Sequence, residues 1–421
     1  MTQLVEWISP TQLGRSFRWL LGSTWIANLG DGLSIAAGPL LIASLTRNPF
    51  LVSLAAFMQW LPVFIFGLYS GAIADRVDRH RLILITNWLR AVTLATLTST
   101  MFLHIVTVPI VLMALFAIGT ADTFAHNAYG AVVPLVVQKS DLGLANSRIN
   151  FGWTGLSQLA GPPLGAALFG IGMAWPFAAQ TICAVTAVLL FAKVVVPPTP
   201  TEERERQHIW HDIREGLTWT RHSPAMLALV IQILTFNITF GASWSVLVLF
   251  SQERLGMGNI GFGVLSAVAA VGGLLGNATY PWLERHVSLA NIMRYGLVLE
   301  TVTHLIFAIT TSPIVAMIIM FFFGIHEANW ATTAMSVRQR AVPNELLGRV
   351  GGVYQVAMMG GLVVGSLIGG LLATHFGLLA PYWFGFIGCA IMLIAIWRRL
   401  GDIAHQDAQT LADDSPAAQD P

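Results

Sequence analysis

The residues of this chain best equipped for chemistry are acids and bases stranded in apolar runs. Asp31 sits in NLGDGLS, inside the stretch 18–45. Arg90 lies in 82–104, Asp122 in 108–131 and Glu327 in 313–335. Arg294, Glu300 and His304 share the run 288–310. An ionisable group inside a bilayer costs about 2.5–3.5 kcal/mol on insertion scales, so each needs a partner or a water-filled cavity. A helix starting near Arg18 would carry Asp31 to a depth of about 20 Å, and Gly30 and Gly32 are expected to loosen the helix around it. A carboxylate there can bind a proton or a cation, or can hold neighbouring helices by hydrogen bonds. Glu300 and His304, four residues apart, share one helix face and offer the near-neutral proton exchange that coupling requires; the plainer reading is a packed polar patch. Asp31, Glu300 and His304 are therefore the candidates for proton coupling or substrate contact.

The remaining charges come in matched sets. Arg90 and Asp122 recur as Arg294 and Glu327, 204 and 205 residues later. Similar depths predict an Arg90–Asp122 pair and an equivalent Arg294–Glu327 pair, acting as a brace within each half or as a switchable latch. An unpaired member would be costly, since breaking a buried pair loses roughly 3–5 kcal/mol. Glu300 and His304 have no such counterparts: Thr96 and Thr100 stand 204 residues earlier.

These residues must be positioned by membrane-spanning helices. Hydrophobic residues make up 55% of the chain and charged residues 10%, against about 25% charged in soluble domains, so most of the surface does not face water. A spanning helix needs roughly 20 apolar residues. Twelve runs qualify: 18–45, 50–73, 82–104, 108–131, 149–171, 174–196, 225–250, 260–282, 288–310, 313–335, 350–373 and 380–400. Lys and Arg alternate with them. One side collects Arg15, Arg79, Lys139, Lys193, Arg285 and Arg349 among others, the opposite side only Arg47 and Arg254. Both termini are thus expected in the cytoplasm. The first apolar run follows a polar start with no cleavage pattern and is expected to stay as an anchor.

The expected organisation is a cytoplasmic segment 1–17, a six-helix bundle 18–196, a cytoplasmic linker 197–224 bearing an amphipathic helix, a second six-helix bundle 225–400 and a disordered tail 401–421. The halves repeat: Gly161 and Gly165 fall on Gly365 and Gly369, 204 residues apart, and Gly67 and Gly71 on Gly272 and Gly276, 205 apart. Pairs of glycines four residues apart let helix backbones approach closely. Parallel halves of this kind suit alternating access about a midplane site. Pro162 and Pro163 between glycines must kink their helix or free its carbonyls.

The direction of transport is open, since uptake of a solute suits the same architecture as export; three other function classes find no support. The net charge of +1 leaves no footprint for nucleic acid. No phosphate-binding Gly-rich Lys-Ser/Thr loop is present for ATP, and His326-Glu327 lacks the second His of a zinc-protease motif. Neither enzyme activity, nor a cofactor, nor a metal is expected. Cys183 and Cys389 lie in apolar runs as free thiols.

The loop GAIADRVDRHR, carrying Gly71, Asp75, Arg76 and Arg79, resembles the loop signature of the major facilitator superfamily, with Asp78 where that pattern usually has glycine. GPPLG, carrying Gly161, Pro162 and Gly165, is similar to the motif typical of its antiporters, with Ala166 replacing the last glycine. The GDG of the first run, the DRVDRHR loop, Arg90 and DIREGLTWTRHSP resemble the bacterial efflux branch that includes enterobactin exporters, macrolide efflux proteins and multidrug exporters. The resemblance covers about residues 15–400. It implies an all-α integral membrane fold of twelve helices in two pseudo-symmetric bundles, inner-membrane location and proton-driven export. It also implies that Asp75 helps hold the cytoplasmic side closed and that loop arginines pair with neighbouring helices, so that Asp122 has Arg79 as well as Arg90 for a partner. The expected partners are the bilayer, protons and a hydrophobic or amphipathic small molecule, handled by a monomer; Phe236, Phe240, Trp244 and Trp330 are among the aromatics available to line its cavity.

Overall fold

The computed structural model describes residues 11–74, 77–196, 209–343 and 346–397. Every regular element among them is helical, as lipid requires of a chain that must satisfy its own backbone groups. Apart from short turns at Thr11–Leu13, Lys139–Asp141, Leu247–Leu249 and Phe250–Arg254, they are in order α1 (Gly14–Leu45), α2 (Pro49–Ala74), α3 (Arg79–Phe102), α4 (Val108–Val136), α5 (residues 142–171), α6 (Trp175–Phe191), α7 (Ile209–His222), α8 (Pro224–Trp244), α9 (Asn259–His286), α10 (Leu289–Ile309), α11 (Pro313–Ala341), α12 (Leu347–Phe376) and α13 (Ala380–Ile396). Nine are long and apolar enough to cross a membrane. Two shorter apolar helices, α6 and α13, and the interrupted α5 accompany them, which is consistent with the expected twelve. Side chains such as Ile314, Ile318, Ile391 and Ile394, the last 80% exposed, form apolar faces suited to lipid.

Residue contacts divide the chain into two units, Met1–Arg204 with Ser245–Ala270, and Glu205–Trp244 with Val271–Pro421. In the first, α1 packs on α5 and α6, and α3 on α4 and α6. In the second, α8 packs on α12 and α13, and α10 on α11 and α13. The matched glycines make the equivalent seams. A methyl group on Gly161 would lie 2.3 Å from Gly32, and one on Gly165 2.1 Å from the Leu33 carbonyl. On α12, Gly365 and Gly369 press in the same way on the carbonyls of Ile238 and Ala242 in α8. Gly71 lies in α2. Among the described residues its neighbour Gly67 meets Val63 of its own helix, and a close α2–α4 approach is made by Gly119, against Gln59 and Pro62.

α5 is not uniform. Residues Trp153–Ala160 form a π-helix, with Gly161 N–H bonded to the Leu156 carbonyl. Pro162 and Pro163 follow at once and have no N–H to close an α-helical ladder, so the chain takes the wider turn. Asp78, where a glycine was the usual pattern, has an ordinary φ of −56° and caps α3, accepting hydrogen bonds from the N–H groups of His80 (2.9 Å) and Arg81 (3.3 Å). This is the standard use of Asp before a first turn. α7 docks on α12: Glu215 pairs with Arg349, and Gly216 lies against the Arg349 backbone.

Gly165→Val should overpack the α1–α5 seam and lower stability by about 1–3 kcal/mol. Gly170→Val, at a position with open space around it, should be close to neutral. Thermal unfolding of the detergent-solubilised variants checks this; equal midpoints would refute the seam.

Candidate functional site

Asp31 stands midway along α1, which runs unbroken from Gly14 to Leu45. The flanking glycines therefore do not loosen the helix; they let two neighbours close on it. Gly30 faces Cys183 and Gln180 of α6, and Gly32 faces the carbonyls of Leu156 and Ser157 in the π segment of α5. Backbone this close brings Cα–H groups against carbonyl oxygens, and it fixes the residue between the two glycines.

The Asp31 carboxylate meets the guanidinium of Arg90 on α3. The same guanidinium lies 3.3 Å from Asp122 on α4. Arg90 is nearly buried, its side chain 9% exposed, whereas Asp31 and Asp122 keep 30% and 46% of theirs accessible. One cation is thus shared by two carboxylates from two different helices, the fork geometry that arginine suits better than lysine. The choice of partner for Asp122 falls to Arg90. Arg79 opens α3 eleven residues earlier, about 16 Å away along the helix. Asp75 and Arg76 lie outside the described residues.

The second unit does not repeat this arrangement, and the expected Arg294–Glu327 pair is not formed. Arg294 instead donates to the Trp397 carbonyl (3.1 Å) and to Asn291 Oδ1 (3.1 Å), and lies over the Trp397 ring. Trp397 closes α13, and a helix C-terminus offers unsatisfied carbonyls and negative potential to a cation. Glu327 is exposed on α11. Glu300 and His304 come together with two residues that sequence spacing had left apart. The Cys389 thiol donates to Glu300 Oε1 (3.4 Å), His304 Nδ1 lies 3.0 Å from the Glu300 carbonyl, and His326 Nε2 lies 4.0 Å from Glu300 Oε2. All four are buried. Their common depth in three helices was the available signal. Phe236, Phe240 and Trp244 stack along α8, with ring centroids 5.8 and 4.9 Å apart. Trp330 belongs to the buried core rather than to a lining.

Residues 8–416 match the family described as transmembrane secretion effector. The chain belongs to that family of the major facilitator superfamily. It is 22% identical over 408 residues to an enterobactin exporter of Shigella boydii serotype 4, covering 95% of this chain and 96% of that one. It is 24% identical over 381 residues to a multidrug efflux pump of Mycolicibacterium fortuitum, covering 86% and 90%. Among solved structures it resembles a bacterial homologue of the iron transporter ferroportin, with TM-score 0.74 at 14% identity over 92% of this chain and 98% of that one. It also resembles a bacterial homologue of the lysosomal transporter Spinster, with TM-score 0.70 at 12% identity over 95% and 99%. These likenesses establish the fold. The protein is a multi-pass membrane transporter and not an enzyme.

Arg90→Ala should leave two carboxylates uncompensated and lower stability by up to about 3 kcal/mol, less than for a fully buried pair because the acids reach solvent. Adding Asp31→Asn and Asp122→Asn should recover part of the loss. Denaturant or thermal unfolding in detergent measures it; no recovery in the triple variant would contradict the shared-cation arrangement.

Proposed function

We propose that this transporter exports a hydrophobic or amphipathic small molecule by proton antiport, working by alternating access in a bacterial inner membrane with both termini in the cytoplasm. The observation that carries the reading is the single Arg90 guanidinium held between Asp31 and Asp122. With both carboxylates ionised the cluster carries net −1; with one proton on Asp31 it carries zero, and Arg90 is left to Asp122. One proton therefore changes both the charge of the site and the partner of its cation. Each 100 mV of membrane potential supplies about 2.3 kcal/mol per charge moved, enough for one such exchange per cycle to sustain accumulation.

In this reading the six-span halves 18–196 and 225–400 exchange access to the cargo, and the linker 197–224 tethers them. The loop charges Asp75, Arg76 and Arg79 act at the cytoplasmic side as a gate. The stacked rings of Phe236, Phe240 and Trp244 supply an apolar surface for cargo. The relatives named as multidrug and enterobactin exporters support outward transport and leave a drug-like molecule or a siderophore as the cargo. Glu300 and His304, sealed inside the second unit, are not required for the coupling step.

Asp31→Asn should abolish uphill, proton-driven efflux in inverted vesicles while the protein inserts and folds normally, and downhill exchange of the same compound should persist. Dye-efflux traces with and without a protonophore read the outcome; uphill transport retained in Asp31→Asn defeats the assignment.

A further inference from the structure

We propose that Glu300, His304, Cys389 and His326 form a binding site for one borderline-soft divalent metal ion of the zinc or cobalt class. The donors come from three helices of one unit. Glu300 and His304 sit one turn apart on α10, Cys389 on α13 and His326 on α11. The ligand atoms of Glu300, His304 and Cys389 all lie within 4.8 Å of one another. His326 adds an imidazole whose Nε2 is buried without a hydrogen-bond partner and faces Glu300 Oε2 at 4.0 Å. A buried polar nitrogen left in that state is expensive unless something else meets it.

The donor set fits such an ion chemically. Zinc takes Cys sulfur at about 2.3 Å and His nitrogen or carboxylate oxygen at about 2.0–2.2 Å, four-coordinate and tetrahedral. Those bond lengths place tetrahedral ligands about 3.3–3.8 Å apart. The observed 3.4 Å from Cys389 Sγ to Glu300 Oε1 already lies in that range, and the other separations among Glu300, His304 and Cys389, at most 4.8 Å, need to contract by about 1.5 Å or less. Thiolate and imidazole select against calcium and magnesium. Charge also closes: a dication with one thiolate, one carboxylate and two neutral imidazoles is net zero, the state a low-dielectric interior tolerates best. Binding displaces the thiol proton of Cys389, and with it any proton on Glu300.

An outer shell is present as well. The Glu300 carbonyl holds His304 Nδ1 and so orients the ring, and Thr239 Oγ1 lies 3.5 Å from Cys389 Sγ. Contacts of this kind orient metal ligands. Gly385 makes room for the His304 imidazole, since a methyl group there would lie 2.0 Å from Cδ2. The first half shows no equivalent set: 204 residues earlier stand Thr96, Thr100, Val185 and, for His326, Asp122, which is engaged with Arg90. The cluster is thus an addition to the repeat and not part of its common scaffold. An ion here would clamp α10, α11 and α13 together.

The test uses the full chain, purified in detergent without an affinity tag, in a Cys183→Ser background and stripped with chelator. Titration with Co2+ should give one equivalent per chain, tetrahedral visible bands and a near-ultraviolet thiolate-to-cobalt band. Cys389→Ser should remove that band, and Glu300→Gln or His326→Gln should weaken affinity at least ~10-fold. Size-exclusion profiles and helical circular dichroism establish that each variant is folded. Binding without a thiolate band, less than one equivalent, or affinity unchanged in Cys389→Ser and Glu300→Gln would overturn the site. Should Cys389→Ser fail to fold, the spectrum of the Cys183→Ser protein decides alone.

Discussion

A guanidinium almost out of reach of water cannot be left unneutralised, and that requirement organises the first unit. Arg90 draws carboxylates from α1 and α4 to one point on α3. Each must arrive at the right depth, so the helices that carry them are fixed in register as well as in direction. Two acids against one base give a cluster whose charge is not closed by its own members, which distinguishes it from a simple brace. The second unit solves its arginine differently, by giving Arg294 to the end of a helix.

The packing around that cluster is set by what is missing from the chain. Gly30 and Gly32 carry no side chain, and α5 and α6 occupy the space. The GDG sequence is therefore a single device, with the acid held in place from both flanks. The same logic repeats between α8 and α12, where Gly365 and Gly369 meet backbone carbonyls. Matching seams explain why the glycines keep a common offset while most side chains around them differ.

The helical fold and its spans were readable from apolar runs because bilayer thickness and backbone hydrogen bonding leave few alternatives. Observed helices mostly overrun the apolar stretches, as α11 does to Ala341, since helical propensity does not stop where lipid does. The Arg90–Asp122 contact was legible from depth and repetition. Its link to Asp31 was not, because spacing along one helix says nothing about which neighbour a side chain reaches. Symmetry misled for Arg294, where the carbonyl closing α13 competes successfully with a distant carboxylate. The partners of Glu300 were hidden for the same reason: Cys389 and His326 are far away in sequence and meet it only through packing.

The π segment of α5 carries a consequence for the kinship between the halves. Asp141-Leu142 before it and Gly161 and Gly165 after it all stand 204 residues ahead of their matches, Glu345-Leu346, Gly365 and Gly369, so no residue has been inserted. Yet a wider turn advances each residue through a smaller angle than α12 uses over the same count. Gly161 and Gly165 still face α1 as Gly365 and Gly369 face α8, so it is the stretch before the π segment that points its side chains in different directions from its aligned counterpart in α12. Trp25 meets the Arg148 carbonyl and the bare face of Gly152 on this rotated stretch. Transplanting residues of that stretch from one half into the other by alignment would deliver them to the wrong sides of the helix.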